Sequence, residues 1–292
     1  MALPYNDEEA RVLGEHLEIN VGGNWRNLEN VYVKSGGSWR TSKKVYIKSG
    51  GSWRTIHDSE VFRFKVTLTG NTNTPFNLSS YLTGQGWNGS QEIKGVVVNN
   101  RRQGGETAMN LGNITGRVYL KISSGQRIQG HGGDGGGRGC SGGQGGYTGL
   151  YTRTSVAIRN DGLLAGGGGG GGGGNNGTCN ATVVYQYGCM KGSQCFGSYQ
   201  YSYGVNGGGG GGGAGLPGGS GRDGGGSGNA DGGGGGGGGS GCGSNGGGSG
   251  GGIGADGQGS SCGGGQRGAY IDGASYVYSW VTQGDVRGRS IN

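Results

Sequence analysis

Between residues 17 and 125 hydrophobic and polar positions alternate in short runs that stop at Gly or Asn, the pattern of strands and turns. VFRFKVTLTG (61–70), EIKGVVVNN (92–100) and RVYLKISSG (117–125) each alternate or run β-branched before such a stop, as side chains do that pack on a pleated surface. A helical period is present only in NDEEARVLGEHL (6–17). Patterning therefore predicts a mainly β scaffold.

The alternation is organised into a repeat near the N-terminus. LEINVGGNWRNLEN (17–30), VYVKSGGSWRTSKK (31–44) and VYIKSGGSWRTIHD (45–58) place Trp25, Trp39 and Trp53 fourteen residues apart, each preceded by a Gly-Gly pair and followed by Arg. Each unit reads as a strand, a tight turn at the glycine pair, and a second strand bearing the Trp. Successive units predict a β-meander with the Trp residues stacked on one face. Such short units cannot hold an independent core, so they must pack on each other, on a neighbouring subunit or on a larger assembly. Trp25, Trp39 and Trp53 are accordingly read as attachment and packing residues, since aromatic stripes usually serve packing.

Composition changes the picture beyond residue 130. Of 292 residues 85 are Gly against three Pro, which excludes collagen, where Gly fills every third position beside abundant Pro. The glycines concentrate in 130–149, 162–177, 204–229 and 231–268, and Gly166–Gly174 is unbroken. One such tract alone would read as a solvated linker. These tracts are separated by YTGLYTRTSVAIRN (147–160) and TCNATVVYQYGCMKGSQCFGSYQYSYGV (178–205), apolar and aromatic inserts that a linker would not carry.

A left-handed threefold helix of the polyproline type makes no internal hydrogen bonds, so its N–H and C=O groups need partners. Without side chains, several such helices would lie close enough to bond one another laterally. Ordering Gly costs more entropy than ordering any other residue, so many lateral bonds must form at once, and the chain supplies many tracts. The predicted organisation is a Trp-repeat attachment region (1–60), a β-rich domain (61–129) and a bundle of packed polyglycine II helices with intervening loops and a closing strand (130–292).

Three stretches carry a family resemblance: RVYLKISSGQRIQGHGGDGGGRG (117–139), VAIRNDGLLAGGGGGGGGG (156–174) and GGGQRGAYIDGASYVYSWVTQGDVRGR (263–289). They resemble the entry, return and closing strands of the Gly-rich adhesins at the distal tail fibres of T-even-like phages. The VYVKSGGSWR unit is similar to segments of tail-tip and tail-fibre proteins. The resemblance implies stacked polyglycine helices whose intervening loops contact a host surface. It further implies a place on the distal tail of a virion and attachment to other tail proteins through the N-terminal region. The partners it implies are a host outer-membrane protein or lipopolysaccharide, with a homotrimeric mounting as fibre symmetry suggests. A purely structural tail-tip component is the alternative.

Between the tracts, Tyr185, Tyr187, Phe196, Tyr199, Tyr201 and Tyr203 gather with one Lys and no acid. Tyr among Ser and Gly gives large, rigid, amphipathic contact area at low entropic cost, so this insert is the first candidate for receptor binding. The same tyrosines would equally cover the sides of the bundle. Tyr147 and Tyr151 form a second candidate loop. Cys140, Cys179, Cys189, Cys195, Cys242 and Cys262 all lie in the Gly-rich half. They permit disulfides stapling its loops or buried free thiols, and six cysteines allow about fifteen pairings.

The remaining chemistry is sparse. No CxxC pair is present and the histidines are scattered, which argues against zinc; GGIGAD (251–256) only begins a calcium nonapeptide that no tandem copy continues. No carboxylate pair or Ser/His/Asp set has supporting context, so the chain reads as a non-enzyme without cofactor or metal. The net charge of +7 would steer the chain to anionic surfaces. The isolated Arg138, Arg222 and Arg267 lack the repeated Arg-Gly-Gly of RNA-binding segments, so nucleic acid is not expected as a partner. MALPYNDEEARVLG is acidic where a secretory signal is basic and then apolar, which predicts synthesis in a host cytoplasm without cleavage.

Overall fold

The computed structural model describes residues 18–21, 24–27, 32–42, 44–58, 60–70, 72–102, 104–188, 194–239 and 242–292. These are mainly β, with few helices. The helical period at 6–17 lies outside the described residues.

Each Trp unit is a hairpin. β1 (Glu18–Val21) pairs with β2 (Asn24–Asn27), β3 (Tyr32–Ser35) with β4 (Ser38–Thr41), and β5 (Lys44–Ser49) with β6 (Ser52–Asp58), all antiparallel. Gly36 and Gly37 hold φ of 60° and 83°, positive at both central positions as a tight hairpin turn requires and as Gly allows without steric penalty. The meander expected from the repeat is corrected: among the described residues these are three separate two-stranded sheets. Both faces of β3 are exposed, and where no face is buried nothing fixes a common register between units.

From residue 61 the chain coils through three parallel sheets. The first holds β7 (Val61–Thr69), β9 (Glu92–Asn100), β11 (Gly116–Ile122), β14 (Ser155–Asn160) and β19 (Val277–Thr282), in that spatial order. The second holds β12 (Arg127–Gln129), β15 (Leu163–Ala165) and β20 (Asp285–Arg287). The third holds β8 (Phe76–Asn77), β10 (Thr107–Asn110), β13 (Thr148–Tyr151), β18 (Ala269–Asp272) and β21 (Arg289–Ile291).

Parallel pairing lays each coil over the one before. Val66, Val97, Leu120 and Ile158 share one register row and are all buried. In the next row Gly95 leaves room for the ring of Phe64, which any Cβ there would overlap. The helix α1 (Leu78–Gly84) buries Leu78 and Leu82 in the same core, and its N-cap Asn77 accepts from the Ser80 amide at 3.0 Å.

The glycine tracts are excursions from this coil. One leaves after β12 and returns at β13; the second leaves after β15 and returns at β18. The last coil passes from β20 to β21 through Gly288 alone. The expected boundary at 129/130 thus falls at the end of β12, while the chain beyond 268 re-enters the same sheets.

Within the excursions the main chain bonds its neighbours with a period of three. Gly130, Gly133, Gly136 and Gly139 donate to the carbonyls of Ala165, Gly168, Gly171 and Gly174, at 2.8–3.1 Å. Gly167, Gly170 and Gly173 donate to Tyr147, Gln144 and Ser141, and Gly168, Gly171 and Gly174 donate to Ala214, Gly211 and Gly208, at 2.7–2.9 Å. Acceptor numbers rise in the first set and fall in the others, so neighbouring tracts run both with and against Gly166–Gly174. That tract is buried throughout, and a methyl group at Gly170 would overlap the main-chain carbonyl of Asp134.

Candidate functional site

Following these tract directions outward from the coil places the turns at 138–140, 222–224, 242–243 and 260–262, with residues 175–188 and 194–206, at the far end of the excursions. Two disulfides tie this end together, Cys140–Cys262 between two turns and Cys179–Cys242 between the insert and a third. The Arg138 amide donates to the Asp223 carboxylate at 2.9 Å, joining the remaining turn to the first. The structure thus selects two pairings from those the sequence left open. Cys189 and the side chain of Cys195 lie outside the described residues.

The aromatic insert is a long antiparallel hairpin, β16 (Gly177–Gly188) with β17 (Gln194–Val205). The alternation of YQY and YQYSY carries the sequence signal for these strands. Register places Tyr185, Tyr187, Tyr199, Tyr201 and Tyr203 on one face. Their rings form a continuous line, with centroids 5.7–6.4 Å apart. All five are exposed, at 44–55%, so they do not cover the sides of the bundle. Phe196 is exposed as well, but register puts it on the opposite face.

The base of the hairpin is fixed. Cys179 is buried at its disulfide, the Gly207 amide donates to the Asn176 side chain at 2.9 Å, and the Asn245 amide to the Asn175 carbonyl at 3.2 Å. Neither strand contains Asp, Glu, Lys, Arg or His.

The second candidate loop is placed differently from expectation. Tyr147 ends a returning tract and Tyr151 lies in β13, both half-buried where tracts meet coil, at the opposite end from the hairpin. Tyr147 packs edge-on against His131, and Tyr151 lies under the Arg153 guanidinium at 4.6 Å. The structure does not bring them together with Tyr185.

The Trp hairpins form a further exposed aromatic surface. Trp39 and Trp53 are 69% and 70% exposed, each opposite a Lys, with the Lys48 ammonium 5.9 Å from the Trp53 ring. Among the described residues nothing packs over them. The backbone of Trp25 lies in β2, and its side chain is outside the described residues.

Charge pairs sit mainly on the coil and its junction. The hydrogen bond that Arg153 donates to Asp272 raises its guanidinium above its ordinary value, those that Arg159 and Arg287 donate to Asp161 and Asp285 do the same, and the Arg127 hydrogen bond lowers the Asp231 carboxyl. Arg138, Arg222 and Arg267, isolated in sequence, each lie beside an Asp of a neighbouring segment: Asp223, Asp134 and Asp256. Among the described residues no group of His, Cys, Asp and Glu is placed to hold a metal ion.

The family described as phage tail fibre adhesin Gp38 matches residues 63–291. Among solved structures, the gp37-gp38 adhesin tip complex of the bacteriophage S16 long tail fibre is similar in fold. Identity is 23%, covering 78% of this chain and 82% of that one, with a TM-score of 0.50. No curated protein matches.

Proposed function

This chain belongs to the phage tail fibre adhesin Gp38 family, and from that membership we propose how its parts divide the work of host attachment. It is a receptor-binding protein of the distal tail, and not an enzyme.

The glycine tracts act as polyglycine II helices. The reading is supported by hydrogen-bond partners that recur every third residue, as a helix of three residues per turn requires. At about 3.1 Å per residue, Gly166–Gly174 carries the far turns roughly 28 Å from the coil.

The tyrosine hairpin contacts the host surface, an outer-membrane protein or lipopolysaccharide. The observation that carries this assignment is a line of exposed rings, stapled at its base, at the end of the molecule remote from the coil. Recognition surfaces are expected on such segments held by a rigid scaffold. The Trp hairpins mount the chain on the fibre. Trp39 and Trp53 are exposed and uncovered among the described residues, and the solved S16 relative is a complex of gp38 with gp37. A fibre protein of the gp37 kind is therefore the partner expected here.

Separate variants of the phage that carries this chain test the division. Replacing residues 183–203 by a short turn is expected to abolish adsorption and leave the adhesin on the particle. Trp39→Ala with Trp53→Ala is expected to strip the adhesin from the particle while the isolated chain melts unchanged. Normal adsorption by the first variant would move host contact to another turn, and normal incorporation of the second would move the mount elsewhere.

A further inference from the structure

The tyrosines of the hairpin are spaced with a regularity that contact area alone does not require. Five consecutive register pairs on one face, Cys179–Tyr203, Ala181–Tyr201, Val183–Tyr199, Tyr185–Gly197 and Tyr187–Cys195, each contain one Tyr and one smaller residue. Successive pairs are two residues apart along each strand, and the rings repeat at 5.7–6.4 Å between centroids over four steps. The small partner gives the ring somewhere to lie: a Cβ at Gly197 would overlap the Tyr185 ring. Each row therefore offers one aromatic surface with a phenolic hydroxyl at its rim.

Charge narrows the class of ligand. The chain carries a net +7, yet neither strand of the hairpin has a charged side chain. A phosphate-rich or acidic ligand laid on this face would lose hydration and gain no counter-charge, which disfavours it strongly. The opposite face is uncharged as well, carrying hydrogen-bonding groups such as Asn180, Gln186 and Gln200 beside the apolar Val184 and Phe196. The surface thus offers stacking and uncharged hydrogen bonding at a fixed linear repeat.

We propose that this face is a platform for an uncharged, linear saccharide chain, one ring of Tyr per register row meeting the apolar C–H face of a sugar while hydroxyls and side-chain amides bond its rim. A repeating polymer fits a repeating array; a folded protein surface has no reason to share its period. The inference rests on the reading that the hairpin faces the host, and names the chemistry of what it meets there.

The test uses the full-length protein and one probe, the lipid-free, dephosphorylated polysaccharide released from lipopolysaccharide of a strain to which the phage adsorbs. Binding is measured by calorimetry at low and high salt, beside phage adsorption to whole cells. The wild-type chain is expected to bind equally at both salts. Tyr199→Ser with Tyr201→Ser is expected to weaken binding about tenfold or more, while Phe at both positions holds it within about threefold, since the ring is kept. Melting temperature checks that these variants fold. Should they not fold, shifts of the wild-type Tyr ring resonances on titration decide the same point.

Binding that survives the Ser variant, or that vanishes at high salt, would overturn the platform. No binding, together with lost adsorption by the Ser variant, would overturn the saccharide and leave host contact standing, with an outer-membrane protein as its object. No binding and normal adsorption would overturn both.

Discussion

The parallel coil and the glycine tracts solve one problem in two ways. In the coil, main-chain bonds run between strands within each sheet, and the third dimension is filled by side chains such as Val97, Leu120 and Ile158. Each buried aliphatic side chain there contributes about 1.5–3 kcal/mol. In the tracts the main chain bonds in several directions around each segment, and carbonyls of adjacent tracts stand where side chains would. Ordering a Gly costs about 0.5–1 kcal/mol more than ordering Ala, similar to the roughly 1 kcal/mol net gain of one hydrogen bond. The tracts therefore hold together only when the lattice of bonds is nearly complete. The coil tolerates changes of side chain and resists changes of register, whereas the tracts exclude a side chain wherever a neighbouring carbonyl fills its place, as at Gly170, and free the turns between them.

The sharpest way to break this contrast is to add one methyl group. Gly170→Ala, whose Cβ would overlap the Asp134 carbonyl, is expected to destabilise the chain by about 3 kcal/mol and to remove hydrogen-exchange protection along 166–174. Gly235→Ala, at a glycine with open space around its would-be Cβ, is expected to change stability by less than about 0.5 kcal/mol. Equal tolerance at the two positions would mean that the tracts are not packed through their main chains.

Reducing the disulfides comes next in size. Loss of Cys140–Cys262 and Cys179–Cys242 is expected to cost about 2 kcal/mol for each. Exchange should rise at the far turns 138–140 and 260–262 while amides of β9 and β11 stay protected. A rise spread evenly over both regions would show that the tracts and the coil unfold as one unit.

The smallest effect probes where the two regions meet. Arg127 of β12 pairs with Asp231 in a turn between tracts, at 2.5 Å. The folded carboxyl has a lowered pKa through that hydrogen bond, so its contribution is present above the ordinary carboxylate range and is lost as pH falls through the folded value. Because the Asp231 side chain is 69% exposed, screening holds the effect to about 0.5 kcal/mol. Asp231→Asn should lower stability by that amount near neutral pH and by nothing in acid, as followed by denaturant unfolding. A difference that persists in acid would assign the loss to packing.

Much of the fold was legible where a pattern is local. VFRFKVTLTG, EIKGVVVNN and RVYLKISSG became β7, β9 and β11 nearly residue for residue, and the glycine pairs became hairpin turns. α1 escaped notice because seven residues hold too little helical period to stand out; only Asn77, an N-cap residue, marked it. Parallel pairing escaped because alternation says which face of a strand is buried and nothing about its neighbour's direction. Of the candidate site, the tyrosines were legible as a group, but their common face depended on the pairing of β16 with β17. The separation of Tyr147 and Tyr151 from that group depended on the tract directions.

What the sequence determined by itself was the division of labour: strands where side chains alternate, main-chain packing where they are missing, and aromatic segments between. Those properties follow from single residues and their near neighbours. The tertiary structure alone decided that the tracts leave and re-enter one coil, that two disulfides gather the far turns, and that five tyrosines form one uncharged line. The physical reason is that a glycine tract has no side chain to specify a neighbour. Its partners are set by where the coil releases and recovers the chain and by which main-chain lattice closes every bond at once.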